Sequence, residues 1–252
     1  MEALAVCFGF PRPSCAIVPG MKAFLIATRN AHKAREIRAV LPDQFPCFTL
    51  DDFPAAPVVR EDAASFAGNA AKKATELAAW LDAARRQGII KPPVQDEFYV
   101  MADDSGLEVD AIGGAPGVKS ARFAALDAGG EENSSDAANN AKLLRMLADV
   151  AAVRRSARFR CVIALTQVGK VRTQDRRGES GGCDWAARTR LFDGVCEGRI
   201  GFEAQGRGGF GYDPLFIPLG FTQTFSELGD DTKNRISHRA LALAKMRAAI
   251  ID

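Results

Sequence analysis

The sequence has few of the residues that build metal centres and disulfide frameworks. Its 252 residues include two histidines, His32 and His238, and none of its six cysteines stands in a C-x-x-C pair. A structural zinc site is therefore not expected. Scattered thiols in a chain of this size indicate a reducing compartment rather than a disulfide scaffold, so we expect a cytoplasmic protein.

Long hydrophobic runs and an excess of charge are also missing. No apolar stretch approaches the roughly 18 residues of a membrane-spanning helix, so no membrane partner is expected. The chain carries 33 basic and 31 acidic residues, a formal net charge of +2. No bulk field draws such a chain to nucleic acid, so any nucleotide binding must be local. The composition, 47% hydrophobic and 25% charged, is that of a globular protein with a sizeable core.

The first twenty residues differ from the rest of the chain. Three prolines break any helix there, and the segment has neither the positive charge nor the A-x-A site of a signal peptide. The stretch that begins at Met21 reads like a domain starting with its first strand. We predict that residues 1–20 are a disordered extension or follow a start codon placed too early, and that residues 21–252 form one domain.

Strand and helix patterns alternate in the first half of the chain, and strands cluster in the second. This order predicts an α/β fold with a mixed sheet and two lobes. Residues 169–190 are polar, glycine-rich and basic, which predicts a long hairpin loop over residues 170–190. Asn30, Ser65 and Ser237 are expected helix N-caps. Helices are expected at 30–41, 65–86, 133–150 and 237–250, and extended segments at 22–28, 47–50, 98–102, 107–109, 158–168, 191–197, 199–203 and 215–217.

The stretch TRNAHKAREI, residues 28–37, places a turn and a helix start directly after a strand. Free N–H groups and partial positive charge at a helix N-terminus suit a phosphate group. Lys33 lies in the first helical turn, where a cation is unfavourable unless an anion is near. A phosphate-binding turn is one interpretation, and a solvated lysine on an ordinary amphipathic helix is the other.

The stretch ADDSG puts Asp103 and Asp104 side by side at the expected end of a strand. Neighbouring side chains on a regular strand point to opposite faces, so both reach one site only if the strand breaks, for which Gly106 is suited. We expect one carboxylate to face a cleft and the other to brace the turn. Mg²⁺ uses one or two carboxylates plus phosphate oxygens, and Glu61 is a candidate second ligand. The alternative is a turn held by aspartate side chains.

The stretches GRGGFGYDPLF and KNRISHRALAL form a third group. Glycines around Phe210 and Tyr212 permit close backbone approach, and an exposed aromatic ring can stack on a base. Lys233, His238 and Arg239 surround the start of the last expected helix and offer donors to ligand oxygens. The alternatives are a glycine-rich hairpin with core aromatics and a histidine satisfied locally near a helix cap.

Together with these two stretches, ADDSGLEVDAIGGAPGVKSARFA resembles the inosine triphosphate pyrophosphatase family, and the similarity runs from Met21 to the C-terminus. The resemblance implies an elongated central sheet flanked by helices, with the active-site cleft between the lobes. It also implies a Mg²⁺-dependent homodimer that hydrolyses non-standard purine nucleoside triphosphates (ITP, dITP and XTP) to the monophosphate and pyrophosphate.

The same resemblance implies roles for individual residues. Asp104 would be the proton acceptor, and Glu61, Asp104 and Asp103 would hold the metal. Lys73 would reach phosphate, and Phe210 would stack on the base. The substrate contacts implied are Thr28, Arg29, Asn30, Lys33, Lys73, Ser105, Phe210, Gly211, Tyr212, Asp213, Lys233, His238 and Arg239.

The sequence departs from the family pattern at three of its positions. Arg29 stands where glycine is usual, and Ala63 and Gly68 stand where glycine and glutamate are usual. Other functions stay open: a nucleotide-binding module without hydrolysis, or a pyrophosphatase with another base preference. The balanced charge argues against a nucleic-acid-binding protein that uses the basic loop.

Overall fold

The computed structural model describes residues 22–42, 44–90, 97–130, 132–168 and 183–251. One mixed sheet has the strand order β2-β1-β3-β4-β5-β6. β1 runs parallel to β2 and β3, and the other pairs are antiparallel. The expected α/β fold with a mixed sheet is confirmed. The strands are β1 (Lys22–Ile26), β2 (Cys47–Thr49), β3 (Glu97–Val109), β4 (Ser156–Val168), β5 (Thr189–Ile200) and β6 (Phe216–Pro218).

Helices pack on both faces of this sheet. Asn30, Ser65 and Ser237 each accept a hydrogen bond from a backbone N–H in the first turn of the following helix, as expected for N-caps. None of the helices in the described ranges is both long and apolar enough to cross a lipid bilayer. The helices are α1 (Ala31–Val40), α2 (Phe66–Arg86), α3 (Asp136–Met146), α4 (Phe225–Ile236) and α5 (His238–Ile251).

Two helices differ from the expectation. α3 is shorter at both ends than the expected 133–150, and its N-cap is Ser135. α4 has no counterpart in the sequence prediction, although Thr224 and Glu227 form a capping box at its start. Gly229, with φ of +75° and ψ of 172°, kinks this helix, and the interruption hid its periodicity.

The strand that carries the two aspartates is continuous. β3 pairs with β4 from Phe98 to Val109, so the expected break near Gly106 and the turn at ADDSG are both wrong. Gly106 serves close packing instead, because a Cβ atom there would lie 2.5 Å from both the Gly117 carbonyl oxygen and Ser120 Oγ.

Strand boundaries after β4 also need correction. The expected strand at 199–203 does not exist as a separate element, because β5 extends to Ile200 and the chain then bends. The predicted loop 170–190 ends earlier than expected, since Thr189 already belongs to β5. Residues 1–21 and 169–182 lie outside the described residues, and so do the predictions made for them.

The hydrophobic core covers both faces of the sheet and changes face along β3. One cluster contains Phe98, Val100 and Ala102 of β3 with the buried face of α2. A second contains Leu107 and Val109 with residues of α3, β5, β6 and α4. A third cluster, which contains Met101, packs with α1 and α5 on the same face as the second, since Met101, Leu107 and Val109 alternate regularly along an unbroken strand. Residues 103–106 of β3 therefore lie at the junction between the first and the second cluster.

Candidate active site

A cavity of about 910 Å³ opens at this junction. β1 stops pairing with β3 at Met101, and the following residues of β3 pair in the described sheet with β4. The edge of β3 at residues 103–106 is thereby open beyond the carboxyl end of β1. Ligands of α/β proteins bind at such carboxyl ends, and the volume suits a small-molecule ligand.

The structure brings the predicted site residues together around this cavity, with one exception. Asp103 does not line it, whereas its neighbour Asp104 does. The predicted residues that line the cavity are Thr28, Arg29, Asn30, Lys33, Glu61, Lys73, Asp104, Ser105, Phe210, Gly211, Tyr212, Asp213, Lys233, His238 and Arg239.

Asp103 is buried on the α1 and α5 face of β3. Its Oδ1 lies 2.5 Å from Lys33 Nζ, and its Oδ2 accepts hydrogen bonds from Arg239 Nε at 3.1 Å and from the Cys161 thiol at 2.9 Å. Burial alone would raise the pKa of Asp103, but Arg239 and Lys33 hold it well below its usual range. The anion that accompanies Lys33 at the start of α1 is therefore this carboxylate.

Asp104 points to the opposite face, as strand alternation requires. Its Oδ2 accepts a hydrogen bond from Asn69 Nδ2 at 3.0 Å, and its Oδ1 accepts one from the Ser105 N–H at 3.1 Å. Burial raises the pKa of Asp104 to about 6; Lys33 opposes the increase, and the negative charge of Glu61 adds to it. A carboxylate with a raised pKa in a cleft is typical of functional sites.

Asn69 contacts Asp104 and was not predicted from the sequence. It is buried on α2, and its Oδ1 also accepts a hydrogen bond from the Ala63 N–H at 2.8 Å. It thus links Asp104 to the segment that carries Glu61. The sequence does contain a signal for this contact, since Asn69 is an amide on the apolar face of an alanine-rich helix. A polar side chain that is buried in this way needs a polar partner.

Glu61 and Lys73 form an ion pair beside Asp104. Glu61 Oε1 lies 2.8 Å from Lys73 Nζ, which also donates to the Asp103 carbonyl oxygen at 3.0 Å. Arg122 Nη2 donates to the Glu61 carbonyl oxygen at 3.4 Å. This contact ties the segment that carries Glu61 to the segment that follows β3.

The turn after β1 is held by its own side chains. Thr28 Oγ1 accepts from the Asn30 N–H at 3.1 Å, and Asn30 Oδ1 accepts from the N–H groups of His32 and Lys33 at 2.9 and 3.1 Å. Arg29 has an ordinary backbone, since no described residue other than glycine has a positive φ. Its guanidinium donates to the Ala56 carbonyl oxygen at 3.3 Å.

Phe210 lines the cavity from the loop between β5 and β6. Its N–H donates to Asp213 Oδ2 at 2.8 Å, and Lys233 Nζ lies 2.5 Å from the same oxygen. The Lys233 ammonium also lies 4.5 Å from the centre of the Phe210 ring. The aromatic ring, its aspartate and its lysine therefore form one connected group.

Helix α3 fixes this loop through residues that the sequence analysis did not identify. The Gly211 N–H donates to Asp136 Oδ2 at 2.7 Å, and the Gly211 carbonyl oxygen accepts from Asn140 Nδ2 at 3.0 Å. The Tyr212 hydroxyl donates to the Ser120 carbonyl oxygen at 2.9 Å. Tyr212 is part of the hydrophobic core. For this ring, the alternative interpretation from the sequence, that of an aromatic residue in the core, is therefore the correct one.

Glu36 joins the two cationic residues near the start of α5. One of its oxygens lies 2.7 Å from Lys233 Nζ, and the other pairs with Arg239. Glu36 was not predicted from the sequence. Its position three residues after Lys33 on α1 places both side chains on one face of the helix, which was the available signal.

His238 is buried at the start of α5, and its ring stacks on Phe159 with centroids 4.8 Å apart and planes inclined by 11°. Burial, together with Arg239 and Lys233, lowers the pKa of His238 well below its usual range, so the imidazole is neutral. Its Nδ1 has no hydrogen-bond partner among the described residues. A buried polar atom beside a cavity and without a partner favours contact with a ligand.

A sequence model of the Ham1 family matches residues 24–249. The chain belongs to the Ham1 family. The dITP/XTP pyrophosphatase of Shouchella clausii is 39% identical over 230 residues, which cover 91% of this chain and 97% of that relative. The dITP/XTP pyrophosphatase of Desulforamulus reducens is 43% identical over 222 residues, 88% of this chain and 92% of that one.

Solved structures of the Ham1 family share the fold. The HAM1 protein from Coxiella burnetii superposes with a TM-score of 0.68 at 31% identity, covering 92% of this chain and 99% of that chain. The Staphylococcus aureus Ham1 protein gives a TM-score of 0.67, also at 31% identity, covering 91% and 98%. The family resemblance inferred from the three sequence stretches is confirmed.

Proposed function

We propose that this Ham1-family protein is a nucleoside-triphosphate diphosphatase that hydrolyses ITP, dITP and XTP to the monophosphate and pyrophosphate. One observation carries the proposal. One cavity is lined both by Lys33 and Lys73 beside the carboxylates of Glu61 and Asp104, and by the Phe210 ring with further donors. The charged groups suit the triphosphate and the aromatic ring suits the purine. The activity in the names of the relatives supports this assignment.

Glu61 and Asp104 are the residues proposed to hold Mg²⁺. The described residues contain no group of three or more His, Cys, Asp or Glu side chains that could bind a metal. A two-carboxylate site completed by phosphate oxygens and water is the pattern typical of Mg²⁺. The carboxylates fit a cation, because Glu61 contributes to the raised pKa of Asp104. When bound, Mg²⁺ would offset negative charge on the phosphate oxygens.

Asp103 is not included in this pair. Its carboxylate lies on the opposite face of β3, where both oxygens already contact Lys33, Arg239 or Cys161. The metal contact implied by the resemblance would require Asp103 to leave these partners. We therefore assign it another role below.

Asp104 is the proposed general base. It would accept the proton of the water that attacks the α-phosphorus, and a raised pKa suits a base that works near neutral pH. Asn69 would hold the carboxylate in one orientation through its hydrogen bond to Oδ2. Lys33 and Lys73, whose ammonium groups each have three donors, would stabilise charge on the phosphate chain.

The donors near Phe210 are proposed to select the base. Lys233 and Arg239 offer N–H groups where a 6-oxo purine presents an acceptor. Adenine presents an amino donor at that position, so its binding would leave buried donors unpaired, and such a mismatch can discriminate by orders of magnitude. The neutral His238, with its unpaired Nδ1, is a further candidate contact to the base.

The test is an assay of purified protein with ITP and Mg²⁺, with products separated by ion-exchange chromatography. We expect IMP and pyrophosphate in equal amounts; release of IDP and single phosphate would contradict the diphosphatase assignment. A panel of ITP, XTP, dITP, GTP, ATP and dUTP tests base preference. Nucleotide binding without turnover of any of them would favour a binding module instead.

We also propose a homodimer in the reducing cytoplasm. All four cysteines within the described residues are free thiols, which supports a reducing compartment. The family resemblance implies the dimer, and exposed apolar side chains such as Phe202 and Leu219, 63% and 79% exposed, are available for an interface. Light scattering coupled to size-exclusion chromatography should give twice the chain mass of 27.0 kDa.

A further inference from the structure

Asp103 connects two cations that come from different helices and that both line the cavity. Lys33, on α1, is proposed to contact the triphosphate, and Arg239, on α5, is proposed to contact the base. Both contact the same carboxylate, at 2.5 Å and 3.1 Å. The side chains of Asp103 and Arg239 are only 1% and 2% exposed.

Further contacts fix the carboxylate itself. Ser105 Oγ donates to Asp103 Oδ1 at 3.2 Å and accepts from Arg239 Nη2 at 2.9 Å. The Cys161 thiol donates to Oδ2 at 2.9 Å. Lys73 Nζ reaches the Asp103 carbonyl oxygen at 3.0 Å. Asp103 thus contacts three cations that line the cavity. Its side chain contacts Lys33 and Arg239, and its main-chain carbonyl contacts Lys73.

The two cations depend on this anion unequally. Arg239 has a second carboxylate partner, Glu36, whereas Asp103 is the carboxylate that pairs with Lys33 in the described structure. Without Asp103, Lys33 and Arg239 would be two like charges close together in a buried setting, and they would move apart. Their relative position is therefore set by one side chain.

We propose that Asp103 is a positioning residue that holds Lys33 and Arg239 in a fixed relation and so couples recognition of the base to placement of the triphosphate. This inference rests on the proposed function and gives Asp103 a role other than metal ligation. Its consequence is that a wrong base, by disturbing Arg239, also displaces Lys33 from the phosphate chain. Base discrimination should then act on kcat as well as on KM, since a small misplacement of a catalytic group is costly.

The experiment compares Asp103→Asn with Glu61→Gln and with Asp110→Asn. Asp110 is a matched control, because it is an aspartate paired with Arg158 outside the cavity. For each protein, kcat and KM are measured with ITP and with ATP. Mn²⁺ binding is measured separately by electron paramagnetic resonance without nucleotide.

For Asp103→Asn we expect the ratio of kcat/KM for ITP to that for ATP to fall at least tenfold, mostly through kcat for ITP, with the Kd for Mn²⁺ within about twofold of wild type. Glu61→Gln should weaken Mn²⁺ binding at least tenfold, and Asp110→Asn should change neither property. Weakened Mn²⁺ binding in Asp103→Asn like that of Glu61→Gln would overturn the proposal, and so would an unchanged discrimination ratio.

Asp103→Asn leaves buried cations without their carboxylate and can fail to fold. A double-mutant cycle with Lys33→Met and Arg239→Met then replaces it. Coupling through Asp103 predicts that the two losses in kcat/KM for ITP are non-additive by at least fivefold, whereas additive losses would overturn the proposal. The wild-type assay tests the diphosphatase activity separately, and absence of pyrophosphate release there would refute the proposed function. If the wild type is active, the results with the variants test only the role of Asp103.

Discussion

His32 of α1 stacks against Phe210 of the loop between β5 and β6, with ring centroids 5.2 Å apart and ring planes inclined by 21°. Phe210 is the ring proposed to receive the purine base. One of its partners in the free protein is therefore another aromatic side chain, on a helix whose N-cap belongs to the proposed phosphate-binding turn. His32 is exposed, so it can rotate away more easily than a core residue.

Replacing His32 with alanine should make the Phe210 ring more available to the base. An aromatic pair is worth about 0.5–1.5 kcal/mol, so we expect the KM for ITP to fall about 2- to 10-fold with little change in kcat. Steady-state kinetics with ITP measure both constants, and Phe210→Ala serves as the comparison in which the platform itself is lost. A higher KM in His32→Ala would mean that the imidazole helps to hold the nucleotide.

Asp104→Asn should separate activity from stability. Loss of a general base lowers kcat by roughly 10²- to 10⁴-fold. The raised pKa of Asp104, about 6, means that its ionised form destabilises the fold above that pH, by about 2–3 kcal/mol. At pH 8 the variant should therefore unfold at a urea concentration no lower than wild type. Activity near that of wild type would show that Asp104 is not the base.

The buried neutral His238 should make stability depend on pH. The pKa of its side chain is well below 6.5 in the folded state, so below pH 6.5 the unfolded chain binds a proton that the folded chain does not. The contribution of His238 to the free energy of unfolding is therefore fully present above about pH 7. It declines as the pH falls, by up to about 1.4 kcal/mol per pH unit.

The measurement is urea unfolding of wild type and His238→Asn between pH 5 and 7.5, with a chelator present. The wild-type minus variant difference should shrink as the pH falls. Asp104 titrates in both proteins, so its effect cancels in the difference between their free energies of unfolding. Two parallel profiles would mean that the pKa of His238 is the same in the folded and the unfolded chain.

Local chemistry made much of the fold predictable. Asn30, Ser65 and Ser237 are hydrogen-bonding residues that precede apolar periodic segments, and each caps a helix. α4 escaped prediction because Gly229 breaks its pattern. The side-chain alternation of a strand correctly separated Asp103 from Asp104, although the strand itself proved unbroken.

The contacts of the site were beyond local patterns. Asp103 lies 70 positions from Lys33 and 136 positions from Arg239. No periodicity relates such distant residues, because their meeting depends on how α1 and α5 pack on the sheet. The same holds for Asn69, which lies 35 positions from Asp104. Composition and motifs indicated which residues belong to the site but not which carboxylate each cation contacts.

Gly106→Ala tests the close packing that replaced the expected strand break. Its Cβ atom would lie 2.5 Å from the Gly117 carbonyl oxygen and Ser120 Oγ and 2.9 Å from the Phe66 ring, so β3 or the segment carrying Ser120 must shift. Overpacking of this kind costs about 1–3 kcal/mol. Because Gly106 follows Ser105 in the cavity wall, kcat/KM for ITP should fall as well.

The matched control for Gly106→Ala is Gly201→Ala. At Gly201 the nearest atoms would lie at an ordinary contact distance of 3.5 Å, so its free energy of unfolding should stay within about 0.5 kcal/mol of wild type. Urea unfolding and ITP hydrolysis measured on both variants give the comparison. If Gly106→Ala were as stable and as active as Gly201→Ala, the approach of the Ser120 segment to β3 would be looser than the structure has it, and the cavity wall would not depend on that glycine.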